Sequence, residues 1–167
     1  MRMCFIRSIV VVIASLLCVG AVHPVLVGTV TRVVDGDTLV VQLTSGGIRV
    51  RLYGIDAPEH NQRGGREAAI ELDSLVRGQR IELEPVNQDR YNRMVARIRR
   101  GNLDVNAEMI RRGDAWVYRR YLRREDRGWC GLEREARNAH RGLWAVGVPV
   151  PPWDFRHHSI GKPIPAC

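Results

Sequence analysis

Lysine is almost absent from this 167-residue chain: Lys162 is the only one, and the other 25 of the 26 basic residues are arginine. The five histidines are scattered over four places, at His23, His60, His140 and the pair His157-His158, and no spacing among them suits a zinc site. No internal repeat and no low-complexity block occurs, which excludes a solenoid or other repeat array. No apolar run reaches the roughly 20 residues that a membrane span needs. The length leaves room for one ordinary domain and none for a second enzymatic one. What the chain has in excess is positive charge, +8 overall with 45% apolar residues to build one core. A guanidinium grips a phosphate through two parallel hydrogen bonds, so an arginine-dominated surface favours a polyanionic partner, although a codon bias toward arginine gives the same skew.

The first 22 residues differ from the rest. Arg2 and Arg7 precede an uncharged stretch over residues 8–22 that ends in small residues at Gly20 and Ala21. That order predicts a secretory signal peptide cleaved near Ala21, with an uncleaved membrane anchor as the alternative. Cleavage removes Arg2 and Arg7 and no acid, leaving a charge of about +6. It also removes Cys4 and Cys18, so Cys130 and Cys167 remain as an even pair in a chain bound for an oxidising compartment. A disulfide between them is expected, with two free thiols or an interchain bond as alternatives.

Patterning predicts a mainly β domain with helices over residues 25–146. Val27, Val30, Val33 and Val34, then residues 39–43, then residues 48–53, read as three strands turned at Asp35-Gly36 and Ser45-Gly46-Gly47. Ala68, Ala69, Leu72, Leu75 and Val76 recur at helical spacing up to Gly78. Residues 81–86 and 94–99 return to alternation. Asp104 is placed to cap a helix that Gly113 closes, and Leu132, Ala136 and Ala139 mark a third helix. Five strands with a helix between the third and fourth predict a five-stranded OB-fold barrel, α+β, with about three helices. Residues 147–167 are rich in proline, which predicts an extended tail lying on the surface.

Three polar clusters exceed what a barrel requires: Asp35-Gly36-Asp37-Thr38; Arg51-Leu52-Tyr53-Gly54-Ile55-Asp56-Ala57-Pro58-Glu59; and Asp89-Arg90-Tyr91-Asn92-Arg93. Taken singly, the first is a hairpin turn, the second a turn that caps a helix, and the third a solvated loop with a local ion pair. Arg51 is harder to dismiss, because it alternates against Val50 and Leu52 and so points to the opposite face. Together the clusters supply carboxylates for a hard divalent cation, a carboxylate to activate water, and guanidinium groups for the charge on a five-coordinate phosphorus.

These three strings, in this order and spacing, resemble the signatures of the staphylococcal-nuclease-like (thermonuclease) family, with likeness from about Val27 to Trp144. Pro151-Pro152-Trp153 is similar to a tail found in many exported bacterial members. The resemblance implies an OB-fold nuclease that uses Ca2+ to hydrolyse phosphodiester bonds of DNA and RNA, leaving 3'-phosphorylated fragments. It assigns Asp37, Asp56 and the carbonyl of Ala57 to the metal, Glu59 to the attacking water, and Arg51 and Arg93 to the scissile phosphate. Arg93 acts there as an electrostatic stabiliser rather than a proton donor, since arginine seldom gives up its proton. Arg90, Tyr91 and Tyr121 are implied to bind substrate. The departures are Asn92, where the family usually has glycine, a shorter loop over residues 60–65, and Arg119 in the place of a tyrosine.

A monomer with no obligate protein partner is expected, touching a membrane only if the leader is retained. A non-catalytic nucleic-acid-binding module of the same fold is the alternative, opposed by the presence of all five key side chains. A small cationic surface protein anchored by residues 8–22 is a third.

Overall fold

The computed structural model describes residues 24–157. The expected leader and Cys167 lie outside the described residues.

Three antiparallel strands open the chain: β1 (Leu26–Asp35), β2 (Thr38–Leu43) and β3 (Gly46–Leu52). The short β4 (Ile55–Asp56) follows, then helix α1 (Gly65–Val76). Next, β5 (Arg80–Gln88) pairs antiparallel with β1, and β6 (Met94–Arg100) pairs antiparallel with β5. The barrel closes where β6 runs parallel to β3, with Val50 opposite Met94 and Leu52 opposite Ala96. This is the predicted five-stranded barrel. The rest of the chain packs against it: β7 (Leu103–Asp104), α2 (Val105–Arg112), β8 (Trp116–Val117), α3 (Trp129–Asn138) and α4 (Pro152–Arg156).

Alternation sets the interior. Val30, Leu39, Val41, Val50, Leu52, Ile81, Leu83, Ala96 and Ile98 are almost fully buried, and α1 seals one side of this core with Ala68, Leu72, Leu75 and Val76. Gly36 lets the first hairpin approach α1 closely, since a Cβ there would come within 2.7 Å of the Cβ atoms of both Ala57 and Ala68. The same restriction holds at Gly65, where a Cβ would meet the carbonyl oxygen of Glu59 at 1.9 Å. Both contacts hold the turn that carries Asp37 and the segment that carries Glu59 against one helix.

Helix α2 starts and stops as predicted. Asp104 Oδ1 accepts from the Ala107 amide at 3.0 Å, and Gly113 ends the helix with φ 84°. Buried Asn106 on this helix donates to the Tyr53 carbonyl at 2.8 Å and accepts from the Ile98 amide at 2.9 Å, tying the exit of β3 to β6.

The tail departs from expectation. Instead of an extended surface segment, its described part turns into α4, with Pro151, Pro152 and Asp154 buried. Proline is excluded from helix interiors but is well placed in a first turn, where its missing N–H has no partner to lose. Trp153 packs on a second apolar cluster of Trp116, Ala136, Leu143 and Trp144, with the Trp116 and Trp153 rings 6.4 Å apart. Cys130 is disulfide-bonded, and its expected partner falls outside the described residues.

Asp114 follows α2 and lines a cavity of about 370 Å³ with Gln62, Gly64 and Leu143. Burial, reinforced by the charge of Glu71, pushes its carboxyl from 3.8 up to about 7. Between about pH 4 and pH 7 the folded protein therefore holds a proton that the unfolded chain has released, and this group's contribution to stability falls as pH rises through that window. Asp114→Asn is expected to match the wild type near pH 4 and to exceed it near pH 7.5 by on the order of 1–3 kcal/mol in denaturant unfolding. A constant difference across that range would contradict the linkage.

Candidate active site

The three polar clusters meet at one end of the barrel. Pairing of Thr38 with Arg51 across β2 and β3 sets the first two side by side, next to a register shift in β1 between Val33 and Asp35. Arg51 Nη1 donates to Asp37 Oδ1 and its Nη2 to Asp56 Oδ1, both at 2.7 Å. Asp37 and Asp56 are 3% and 0% exposed, so a single guanidinium bridges two buried carboxylates. Although burial opposes its charge, those two carboxylates raise the pKa of Arg51 above the ordinary arginine value. Asp37 Oδ2 accepts from the Ala57 amide at 3.0 Å, which locks the 56–57 peptide beside it. Asp35 accepts from the Asp37 amide, and burial together with the Asp37 charge pushes its carboxyl up to about 6.

The third cluster folds around its own acid. Asp89 Oδ1 accepts from the amides of Tyr91 and Arg93, and Oδ2 accepts from Arg93 Nε at 2.7 Å. Asn92 takes the left-handed conformation expected of it, with φ 60°. The local ion pair of the bland reading thus exists, and it aims Arg93, whose Nη1 reaches the Thr38 hydroxyl at 3.2 Å. Thr38 in turn donates to Asp37 Oδ1 at 3.0 Å, so a continuous hydrogen-bonded chain joins Arg93 to Arg51 and Asp56.

Asp37, Arg51, Ala57, Glu59 and Arg93 line one cavity of about 830 Å³, with Asp56 buried behind its wall. Arg90, Tyr91 and Tyr121 also line it, so the three expected substrate-binding residues lie on the same wall system. Tyr91 and Tyr121 are 62% and 57% exposed, unlike core aromatics. Arg90 lies over the Tyr91 ring at 4.8 Å. Arg119, in contrast, turns away to pair with buried Glu133 at 3.0 Å.

Sequence reasoning missed Arg120, Arg123 and Arg156 among the lining residues. Arg120 and Arg123 add positive charge, and Tyr118 lies stacked on Trp153, with ring centres 5.9 Å apart and planes within 3°. The largest omission is Arg156, which donates to Asp56 Oδ2 and to Glu59 Oε1, each at 2.7 Å. A single arginine beyond a proline-rich stretch carries no pattern that could have placed it here.

The donor set fits a hard cation. No cluster of three His, Cys, Asp or Glu side chains able to hold a metal occurs among the described residues. What converges is two buried carboxylates and the 56–57 backbone, oxygen donors that suit Ca2+ when water completes its coordination. Six arginines around the same cavity suit a polyanion.

Comparison with known proteins gives the family. Residues 49–146 match the family described as staphylococcal nuclease homologue. The chain is 42% identical over 133 residues to an uncharacterized endonuclease of Escherichia coli O157:H7, covering 79% of this chain and 86% of that one. It is 35% identical over 141 residues to a micrococcal nuclease of Shigella flexneri, covering 79% and 81%. An uncharacterized endonuclease of Haemophilus influenzae is 36% identical over 132 residues, covering 78% and 72%. The chain therefore belongs to the staphylococcal nuclease family and is a nuclease, a hydrolase of phosphodiester bonds.

Proposed function

We propose that the protein is an exported, calcium-dependent nuclease that cuts both DNA and RNA and leaves 3'-phosphorylated fragments with 5'-hydroxyl ends. The observation that carries this reading is the unbroken set of contacts from Arg93 through Thr38, Asp37, Arg51 and Asp56 to Arg156 and Glu59, around one cavity. Asp37, Asp56 and the Ala57 carbonyl would hold Ca2+, which supplies charge neutralisation at a phosphate oxygen when bound.

The remaining chemistry belongs to side chains of this chain. Glu59 takes a proton from the attacking water as the water oxygen bonds to phosphorus, and the bond from phosphorus to the 5' oxygen breaks. Arg51 and Arg93 stabilise the negative charge that builds on the five-coordinate phosphorus. Arg93 lies toward the leaving oxygen, which takes its proton from solvent. Arg90, Tyr91 and Tyr121 line the path of the flanking nucleotides, with exposed rings that suit base stacking. The basic leader-like segment at residues 1–22 supports export, after which the protein acts as a monomer without an obligate protein partner.

Digestion of DNA and RNA with added calcium or with chelator tests the proposal. Cutting is expected only with calcium, and the products should accept a 5'-phosphate from a polynucleotide kinase without prior phosphatase treatment. Cutting that persists in chelator, or ends already 5'-phosphorylated, would contradict it.

A further inference from the structure

The described part of the carboxyl-terminal segment is fastened to the domain at several points. Arg63 donates to the Val146 carbonyl at 2.8 Å and Gln62 Nε2 to the Val150 carbonyl at 2.6 Å. Pro151 and Pro152 are buried, and Trp153 lies between Trp116 and the Tyr118 ring. These anchors deliver the last turn of α4, with Arg156, to the mouth of the active-site cavity.

There the guanidinium bridges the two acids that matter most. Its Nη2 donates to Asp56 Oδ2 at 2.7 Å, and its Nη1 to Glu59 Oε1 at 2.7 Å and to Asp56 Oδ1 at 3.3 Å. Since Arg51 also donates to Asp56 Oδ1, both oxygens of Asp56 are engaged by arginine. Asp37 is not covered in this way, because its partners are Arg51, Thr38 and the Ala57 amide. Asp56 is fully buried and does not line the cavity, whereas Arg156 does. A cation reaching Asp56 from the cavity therefore meets Arg156 first, and two positive charges on the same carboxylate repel each other.

The two arginines differ in exposure and in the element that carries them. Arg51 projects from a barrel strand with a side chain 17% exposed, while Arg156 comes from the final turn of a five-residue helix and is 36% exposed. Arg156 is the more exposed of the two. Resting on the calcium-dependent reading proposed above, we infer that Arg156 is a further active-site residue, a tethered cation that holds Glu59 and competes with the divalent metal for Asp56, and so sets the metal affinity of the site. On release its guanidinium stays at the wall that also carries Arg51 and Arg93, where it adds positive charge facing a phosphate.

Titration calorimetry of calcium into the folded protein, without nucleic acid, tests this. Arg156→Met is expected to bind calcium about tenfold more tightly than wild type, the scale of one lost charge-assisted contact. Arg120→Met removes a charge from the same cavity without touching either acid, and should change affinity by less than about twofold. Should Arg156→Met fail to fold, as judged by circular dichroism, Arg156→Lys carries the test: it keeps the charge, loses the two-pronged grip, and should bind about threefold more tightly. Equal or weaker calcium binding by the folded variant would overturn the inference while leaving the nuclease reading intact. A wild type that binds no calcium and digests DNA in chelator would instead overturn the metal reading, and the inference with it.

Discussion

Glu59→Gln is expected to lower kcat by at least about a hundredfold, because the amide has the same shape but cannot take a proton from the attacking water. The fold should survive. The Glu59 side chain is 39% exposed, and its amide keeps its hydrogen bond to Gln62 Oε1 at 3.1 Å whatever the side chain carries. KM should move far less than kcat, since the lost interaction belongs to the transition state. Steady-state digestion of a defined oligonucleotide, alongside thermal unfolding, measures both. A variant that cuts at the wild-type rate would remove Glu59 from the reaction.

Arg93→Ala should cost a similar factor of at least about a hundred in kcat, by removing a guanidinium aimed at the charge developing on phosphorus. The loop that carries it does not depend on its side chain. Asp89 still accepts from the backbone amides of Tyr91 and Arg93, and the Asp89 amide still reaches the Arg93 carbonyl at 3.0 Å. Arg93→Lys separates charge from geometry, since an ammonium retains the charge without the planar fork. It should recover part of the loss and leave a deficit. Full activity in Arg93→Ala would show that the phosphate sits elsewhere.

Both predictions fall on residues whose roles the family resemblance implies, since locally their segments read as a turn and a solvated loop; what local pattern alone marked was Arg51, the capped helix and the barrel strands. Arg51 alternates against Val50 and Leu52, so its side of the sheet follows from strand periodicity, whereas its bridge from Asp37 to Asp56 is seen only in the structure. Asp104 and Gly113 bound α2 because capping is a matter of one turn of chain. The barrel strands were legible for the same reason, each being long enough to show a period of two.

What could not be read depends on contacts between distant segments. The pairing of β4 with β8 involves two residues on each side, too few to show any periodicity. The reach of Arg156 to Glu59 and Asp56 spans 97 and 100 positions and rests on the way Trp153 seats against Trp116 and Tyr118. Proline content pointed to an extended tail, and it misled because Pro151 and Pro152 stand at the start of a helix, where proline is tolerated. Expectations drawn from composition fail most readily at such a docked terminus, whose conformation is decided by the surface it meets.

Determining the structure with calcium and a phosphorothioate dinucleotide bound tests the central claim most directly. The account predicts one calcium on Asp37, Asp56 and the Ala57 carbonyl, a phosphate between Arg51 and Arg93, and Glu59 beside the water in line for attack. Calcium or phosphate bound on a different surface, away from these five side chains, would contradict it.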